Sequence, residues 1–149
     1  MTNPLQQLEK GLHLKNAEET EHIGVRIGRA VSPGTMIGLH GDLGAGKTTL
    51  AKGIAKGWGV SETVKSPTFN YYLTYRGKRG LFVHLDAYRL EDPNEYDSLL
   101  LEDLLEDPWL LVIEWAERIV DRLPPETVRI SLKECPDSGR FIRTGFPAA

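Results

Sequence analysis

The sequence predicts an α/β fold built as a single domain over 1–149, with a mostly parallel sheet, helices on both of its faces and antiparallel additions from two hairpins. Three observations predict it. Apolar runs of strand length at Met36–Leu39, Leu81–Leu85 and Leu110–Ile113 are separated by stretches whose apolar residues recur at helical spacing. Two of these runs end on a carboxylate, Asp86 and Glu114, and parallel sheets carry their ligand chemistry at the carboxyl ends of their strands. The first run passes through Gly41-Asp-Leu-Gly-Ala-Gly-Lys47-Thr48-Thr49 directly into Leu50, Ala51, Ile54 and Ala55, so a glycine-rich loop joins a strand to a helix.

Taken in order, Gly11 to Lys15 alternates as a short strand, and Asn16-x-x-Glu19 reads as a capping box that opens a helix. Thr20, Ile23, Ile27, Ala30 and Val31 share one face of that helix, which stops at Ser32-Pro33-Gly34. Thr20 is the polar member of the stripe, and local geometry favours a hydroxyl bonded back to its own helix.

The loop that follows the first strand has the spacing G-x-x-x-x-G-K-[ST], the phosphate-binding pattern of a three-layer P-loop NTPase fold. Gly41, Gly44 and Gly46 allow the bends that turn consecutive N–H groups toward an anion on the N-terminus of the next helix. Asp42, Leu43, Ala45 and Thr49 complete the candidate nucleotide contacts. Lys47 is expected to reach the β- and γ-phosphates with its side chain outside the core, and the Thr48 hydroxyl to ligate Mg²⁺.

The helix after the loop ends near Gly57-Trp58-Gly59. Ser66-Pro67-Thr68-Phe69 is then either a plain crossover or a loop whose hydroxyl, Thr68, senses the metal or the γ-phosphate. Phe69, Tyr71, Leu73 and Tyr75 alternate, Gly77-Lys78-Arg79-Gly80 turns, and Leu81–Leu85 returns, which makes a β-hairpin. Arg76, Lys78 and Arg79 at its tip are a solvated turn or a patch for an acidic partner. Asp86 follows the returning strand as a magnesium-shell carboxylate should, and Glu114 offers a second acid. One would hold magnesium through Thr48 and water; the other would orient or deprotonate the attacking water. Either acid alone can instead be a helix N-cap, the lesser alternative.

Asp92-Pro93-x-Glu95 starts a helix whose Leu99, Leu100, Leu104 and Leu105 stripe runs toward Asp107-Pro108. Ala116 to Leu123 is a short helix stopped by Pro124-Pro125. Val128, Ile130, Leu132 and then Phe141, Ile142 form a last strand pair around Pro136-Asp-Ser-Gly139. Arg140, just past that turn, either approaches a nucleotide base or is exposed.

The bulk composition narrows the function. The chain has 40% hydrophobic and 26% charged residues, 18 Lys and Arg against 21 Asp and Glu, and a net charge of -3. That sign lacks the basic footprint needed to grip nucleic acid through its phosphates. There is no apolar run near membrane-spanning length and no secretory pattern. The lone Cys135 cannot form an internal disulfide. A cytoplasmic protein with no membrane contact is expected.

Gly41 to Thr49, Ser66-Pro67-Thr68-Phe69, His84-x-Asp86-x-Tyr88-Arg89-Leu90 and Ile113-Glu114-Trp115 together resemble the bacterial TsaE (YjeE) ATPases, from about Thr20 through Pro124. That family is needed to make threonylcarbamoyladenosine beside the anticodon of tRNA. The resemblance implies ATP as nucleotide, with Thr48, Asp86 and Glu114 around Mg²⁺ and a mobile Ser66 to Phe69 loop. It places Thr20, Glu117 and Arg140 near the nucleotide. It also implies as partners the two protein subunits of the threonylcarbamoyl transferase complex, with tRNA reached only through them. The absence of an N-K-x-D stretch, the usual guanine reader, agrees with ATP.

Overall fold

The computed structural model describes residues 3–42, 44–67 and 71–145. Its strands are β1 (Leu12–Leu14), β2 (Thr35–His40), β3 (Tyr72–Gly77), β4 (Gly80–Asp86), β5 (Trp109–Glu114), β6 (Val128–Glu134) and β7 (Arg140–Thr144). They form one seven-stranded sheet in the order β1-β7-β6-β2-β5-β4-β3. The middle strands β6, β2, β5 and β4 are parallel. Antiparallel partners flank them: β3 on β4 at one side, β7 and then β1 on β6 at the other. This is the predicted three-layer α/β architecture, with the two hairpins at opposite edges of a parallel centre.

Both faces of the sheet are buried, which is why its central strands are continuous apolar runs rather than alternating ones. Along β5, Leu110 and Val112 join the core beneath helices α2 (Ala17–Ala30) and α3 (Lys47–Trp58), while Leu111 and Ile113 enter the core of the opposite face. That second core is closed by Leu90, Leu101, Ile119 and Leu123. A further short helix, α1 (Pro4–Gln7), is capped by the Asn3 side chain and lies before anything assigned from the sequence.

Helices α2 and α3 meet backbone to backbone along Gly24, Gly28, Gly53 and Gly57. A Cβ on Gly28 would lie 2.1 Å from the Ile54 carbonyl oxygen, an overlap only backbone movement can relieve. Gly28→Ala is therefore expected to destabilise the fold by about 3 kcal/mol, the upper end of overpacking costs. Gly34→Ala, at φ +83 in open space, should cost only about 1–2 kcal/mol of backbone strain. Urea midpoints of the two variants at unchanged m-value check the ordering.

Two elements differ from the sequence expectation, and a third takes a specific form that it left open. The helix expected from Asp92 to Leu105 is broken into α4 (Pro93–Ser98) and α5 (Leu101–Leu104), with Leu100 between them at φ 52. The break buries Leu101 in the second core and leaves Leu100 exposed, so packing overrides a continuous apolar stripe. The short helix expected at Ala116 to Leu123 is present over Ala116–Arg122 as 3₁₀, with a kink at Ile119. At the hairpin tip, Arg79 is neither solvated nor free for a partner. It donates to the Gly28 and Val31 carbonyls at 2.6 and 2.8 Å and lies 4.4 Å over the Trp58 ring, satisfying carbonyls at the end of α2 that the helix cannot.

Candidate functional site

Strand β2 ends at His40, and the loop after it is bent by Gly44 (φ 81) and Gly46 (φ 100), conformations that a Cβ would strain. Gly46 is the N-cap of α3 and brings no side-chain cap, and the first turn of the helix holds no acidic residue. The N–H groups at this helix end therefore lack the internal anion that usually answers them, and the positive pole of the helix faces outward.

Lys47 opens α3 and folds back into the loop. Its ammonium donates to the carbonyls of Gly41 and Asp42, the latter at 2.8 Å, and lies 3.8 Å from the centre of the Trp115 ring. Lys47 lies in neither apolar core, yet it is only 5% exposed, because the loop and Trp115 enclose it. Burial pushes its pKa down, opposed by the carboxylates of Glu117, Glu114, Asp42 and Asp86.

The next residue carries the central contact of the site. Thr48 Oγ1 donates to Glu114 Oε1 at 2.8 Å and lies 3.3 Å from Ser66 Oγ. The contact exists because β5 pairs directly with β2, in a register that sets Glu114 opposite Leu39. Glu114 is buried, and its other oxygen, Oε2, lies 2.6 Å from His84 Nε2 on β4. Asp86, opposite Glu114 in the β4–β5 register, accepts the Tyr88 N–H at 2.9 Å and so caps the 3₁₀ turn Ala87–Arg89. Burial raises its pKa, the Glu114 charge adds to the rise, and the Tyr88 N–H opposes it.

These groups line one cleft of about 590 Å³ that runs over Gly44, Ala45, Gly46, Lys47, Thr48 and Thr49 and takes in Ser66, Asp86, Glu114 and Arg140. A small recess beside it joins Thr20, Thr49 and Arg140. Thr20 lines that recess while its hydroxyl bonds back to the Asn16 carbonyl at 3.3 Å. Arg140 is half-buried, not exposed, and its guanidinium donates to the Ser138 and Gly139 carbonyls. Glu117 supports the loop, accepting the Gly41 N–H at 3.1 Å with His40 Nδ1 at 3.9 Å. Asp42 contributes its carbonyl to Lys47. Leu43 and Thr68 lie outside the described residues.

Sequence reasoning gave no site role to His84, Trp115, Tyr88 or Arg89. His84 carried a signal, a lone imidazole in an otherwise apolar strand two residues before Asp86. Trp115 was marked only by its place in the Ile113-Glu114-Trp115 motif, and its φ of 59 is visible only in the structure. That conformation, uncommon outside glycine, sets its ring against both Lys47 and Tyr88, the latter with ring centres 4.9 Å apart.

With the cleft defined, comparison with known proteins bears on its use. A family model described as threonylcarbamoyl adenosine biosynthesis protein TsaE matches residues 14–142. A tRNA threonylcarbamoyladenosine biosynthesis protein of Treponema pallidum is 37% identical over 86% of this chain and 94% of its own length. The protein of that description from Bacillus subtilis is 39% identical over 85% of this chain and 79% of its own. The crystal structure of Bacillus subtilis YdiB superposes with a TM-score of 0.72 at 31% identity, covering 90% of this chain and 82% of that one.

Proposed function

We propose, from the premise that this chain belongs to the TsaE family of threonylcarbamoyl adenosine biosynthesis proteins, that it is a Mg²⁺-dependent ATPase accessory to that tRNA modification. The observation that carries the proposal is the Thr48 to Glu114 hydrogen bond beneath a helix N-terminus that has only a glycine for its cap. A bare helix end of this kind suits a polyphosphate. A hydroxyl with two carboxylates nearby is a set of hard oxygen donors, which suits Mg²⁺. The cleft volume of about 590 Å³ falls in the range of about 300–1,000 Å³ typical of small-molecule sites.

In this reading the loop amides and Lys47 hold the β- and γ-phosphates, Lys47 turning from the Gly41 and Asp42 carbonyls to do so. Thr48 and Glu114 hold the metal, which when bound neutralises charge on the phosphates. Asp86, beside Glu114 at the end of the neighbouring strand, orients water. Trp115 and Tyr88 wall the cleft and exclude bulk water, and Arg140 with Thr20 borders the nucleotide beyond Thr49. Adenine is favoured because the chain has no N-K-x-D guanine reader.

Turnover by the protein alone is expected to be slow, since the hairpin tip, the basic cluster that could have served as a lid, has Arg79 committed to the end of α2. Completion of a P-loop site by a partner can raise turnover by about 10³–10⁵-fold, and the partners proposed are the two subunits of the threonylcarbamoyl transferase complex. Among the described residues no helix is long and apolar enough to cross a membrane. A cytoplasmic role that reaches tRNA through those partners fits the net charge of -3.

Depletion of the protein tests this reading. Mass spectrometry of tRNA should show the anticodon-adjacent adenosine unmodified, restored by the wild-type protein and not by Lys47→Ala. Normal modification in depleted cells, or stoichiometric transfer of the γ-phosphate to a small metabolite by the purified protein, would replace the proposal with a kinase.

A further inference from the structure

His84 is fully buried on the face of β4 that it shares with Phe82, beneath α3. An imidazole placed there loses its water, and fold stability alone would favour an aliphatic side chain at the position. A buried histidine retained for structure usually satisfies both ring nitrogens. This one satisfies a single nitrogen: Nε2 lies 2.6 Å from Glu114 Oε2, while Nδ1 meets no hydrogen-bond partner among the described residues.

The acid it touches has two oxygens with separate tasks. Oε2 points into the sheet toward His84, and Oε1 accepts the Thr48 hydroxyl at the start of α3. A carboxylate held by only one of these donors can rotate about its last bond. Held by both, it presents Oε1 in one orientation. Because the carboxylate only accepts, the short contact requires a proton on Nε2.

We propose that His84 is a positioning residue: by donating Nε2–H to Glu114 Oε2 it fixes Glu114 Oε1 on Thr48, and so sets the metal affinity of the cleft. This rests on the reading of the cleft as a magnesium-nucleotide site. Partners of this kind behind a metal ligand are worth about 10–100-fold in metal affinity.

The test titrates Mg²⁺ against ATP binding by the full chain as wild type, His84→Gln and His84→Met. Gln carries an N–H near the position of Nε2, and Met has similar bulk with no donor. His84→Met should raise the Mg²⁺ concentration for half-saturation about 10–100-fold and leave ATP affinity in EDTA unchanged. His84→Gln should stay close to wild type. A wild-type midpoint in His84→Met, or equal impairment of both variants, would reduce the imidazole to a space filler.

If His84→Met does not fold, nitrogen-15 NMR of the wild-type imidazole decides. The Nε2–H tautomer is expected, with a downfield proton that moves when Mg²⁺ and ATP are added and not with ATP in EDTA. The Nδ1–H tautomer, or a proton indifferent to Mg²⁺, overturns the assignment. A wild type whose ATP affinity ignores Mg²⁺ would overturn the reading of the cleft itself. A wild type that needs Mg²⁺ beside an indifferent His84→Met would overturn only the role of His84.

Discussion

Lys47→Ala is expected to weaken ATP binding at least tenfold and to stop measurable turnover, with the fold intact. Lys47 is the one basic residue in the segment from Gly41 to Thr49, and a charge-assisted hydrogen bond of its kind is worth about 1.5–3 kcal/mol, or roughly 10–150-fold in affinity. The cost to the fold is small for a specific reason. Lys47 lies among the loop carbonyls and the Trp115 face rather than in either apolar core. Its lowered pKa shows that burial already works against its charge. Truncation removes two hydrogen bonds and a desolvation penalty together. Nucleotide titration with circular dichroism as the control measures both halves, and unchanged binding with normal turnover would remove Lys47 from the site.

Glu114→Gln is expected to have the second large effect, and comparison with Asp86→Asn separates the two acids. The sequence pattern favoured Asp86 as the metal-shell residue. The hydrogen bond from Thr48 goes to Glu114 instead, so Glu114→Gln should abolish most of the Mg²⁺ dependence of ATP affinity and lower turnover with it. The glutamine can still accept from Thr48, and His84 can meet its amide by changing tautomer, so folding should survive. Asp86→Asn should lower turnover by about 10²–10⁴-fold, the usual worth of a positioned acid or base, while affinity keeps its Mg²⁺ dependence.

Asparagine can also cap Tyr88. Because burial raises the Asp86 pKa above its unfolded value, the ionised carboxylate costs the folded state stability relative to the unfolded chain as pH rises, and Asp86→Asn should be no less stable than wild type. Equal, Mg²⁺-independent losses in both variants would point to two structural caps.

Much of the site was legible before any coordinates, because it depends on local rules. Three glycines at fixed offsets, a lysine and a threonine at the next two positions and an apolar strand before them are constraints within one short segment, and the structure places them as one loop and helix start. The strand-then-carboxylate pattern likewise located Asp86 and Glu114 at the same end of the sheet. The back-bonded hydroxyl of Thr20 followed from its helix alone.

What only the tertiary structure decided is which of these groups meet. Glu114 and Thr48 stand 66 positions apart and Glu117 and Gly41 stand 76 apart. Both contacts follow from β5 lying beside β2, a strand order that no local pattern encodes. The same order sets His84 under Glu114, while tertiary packing folds Lys47 beneath Trp115, breaks the 92–105 helix to bury Leu101, and commits Arg79 to the end of α2. By itself, then, the sequence determined the loop chemistry and the kinds of strand and helix around it, because hydrogen bonding and periodicity act over a few residues. The pairing of the acids with the threonine and the burial of the lysine were decided by side-chain packing across the sheet, which exists only once distant strands are neighbours.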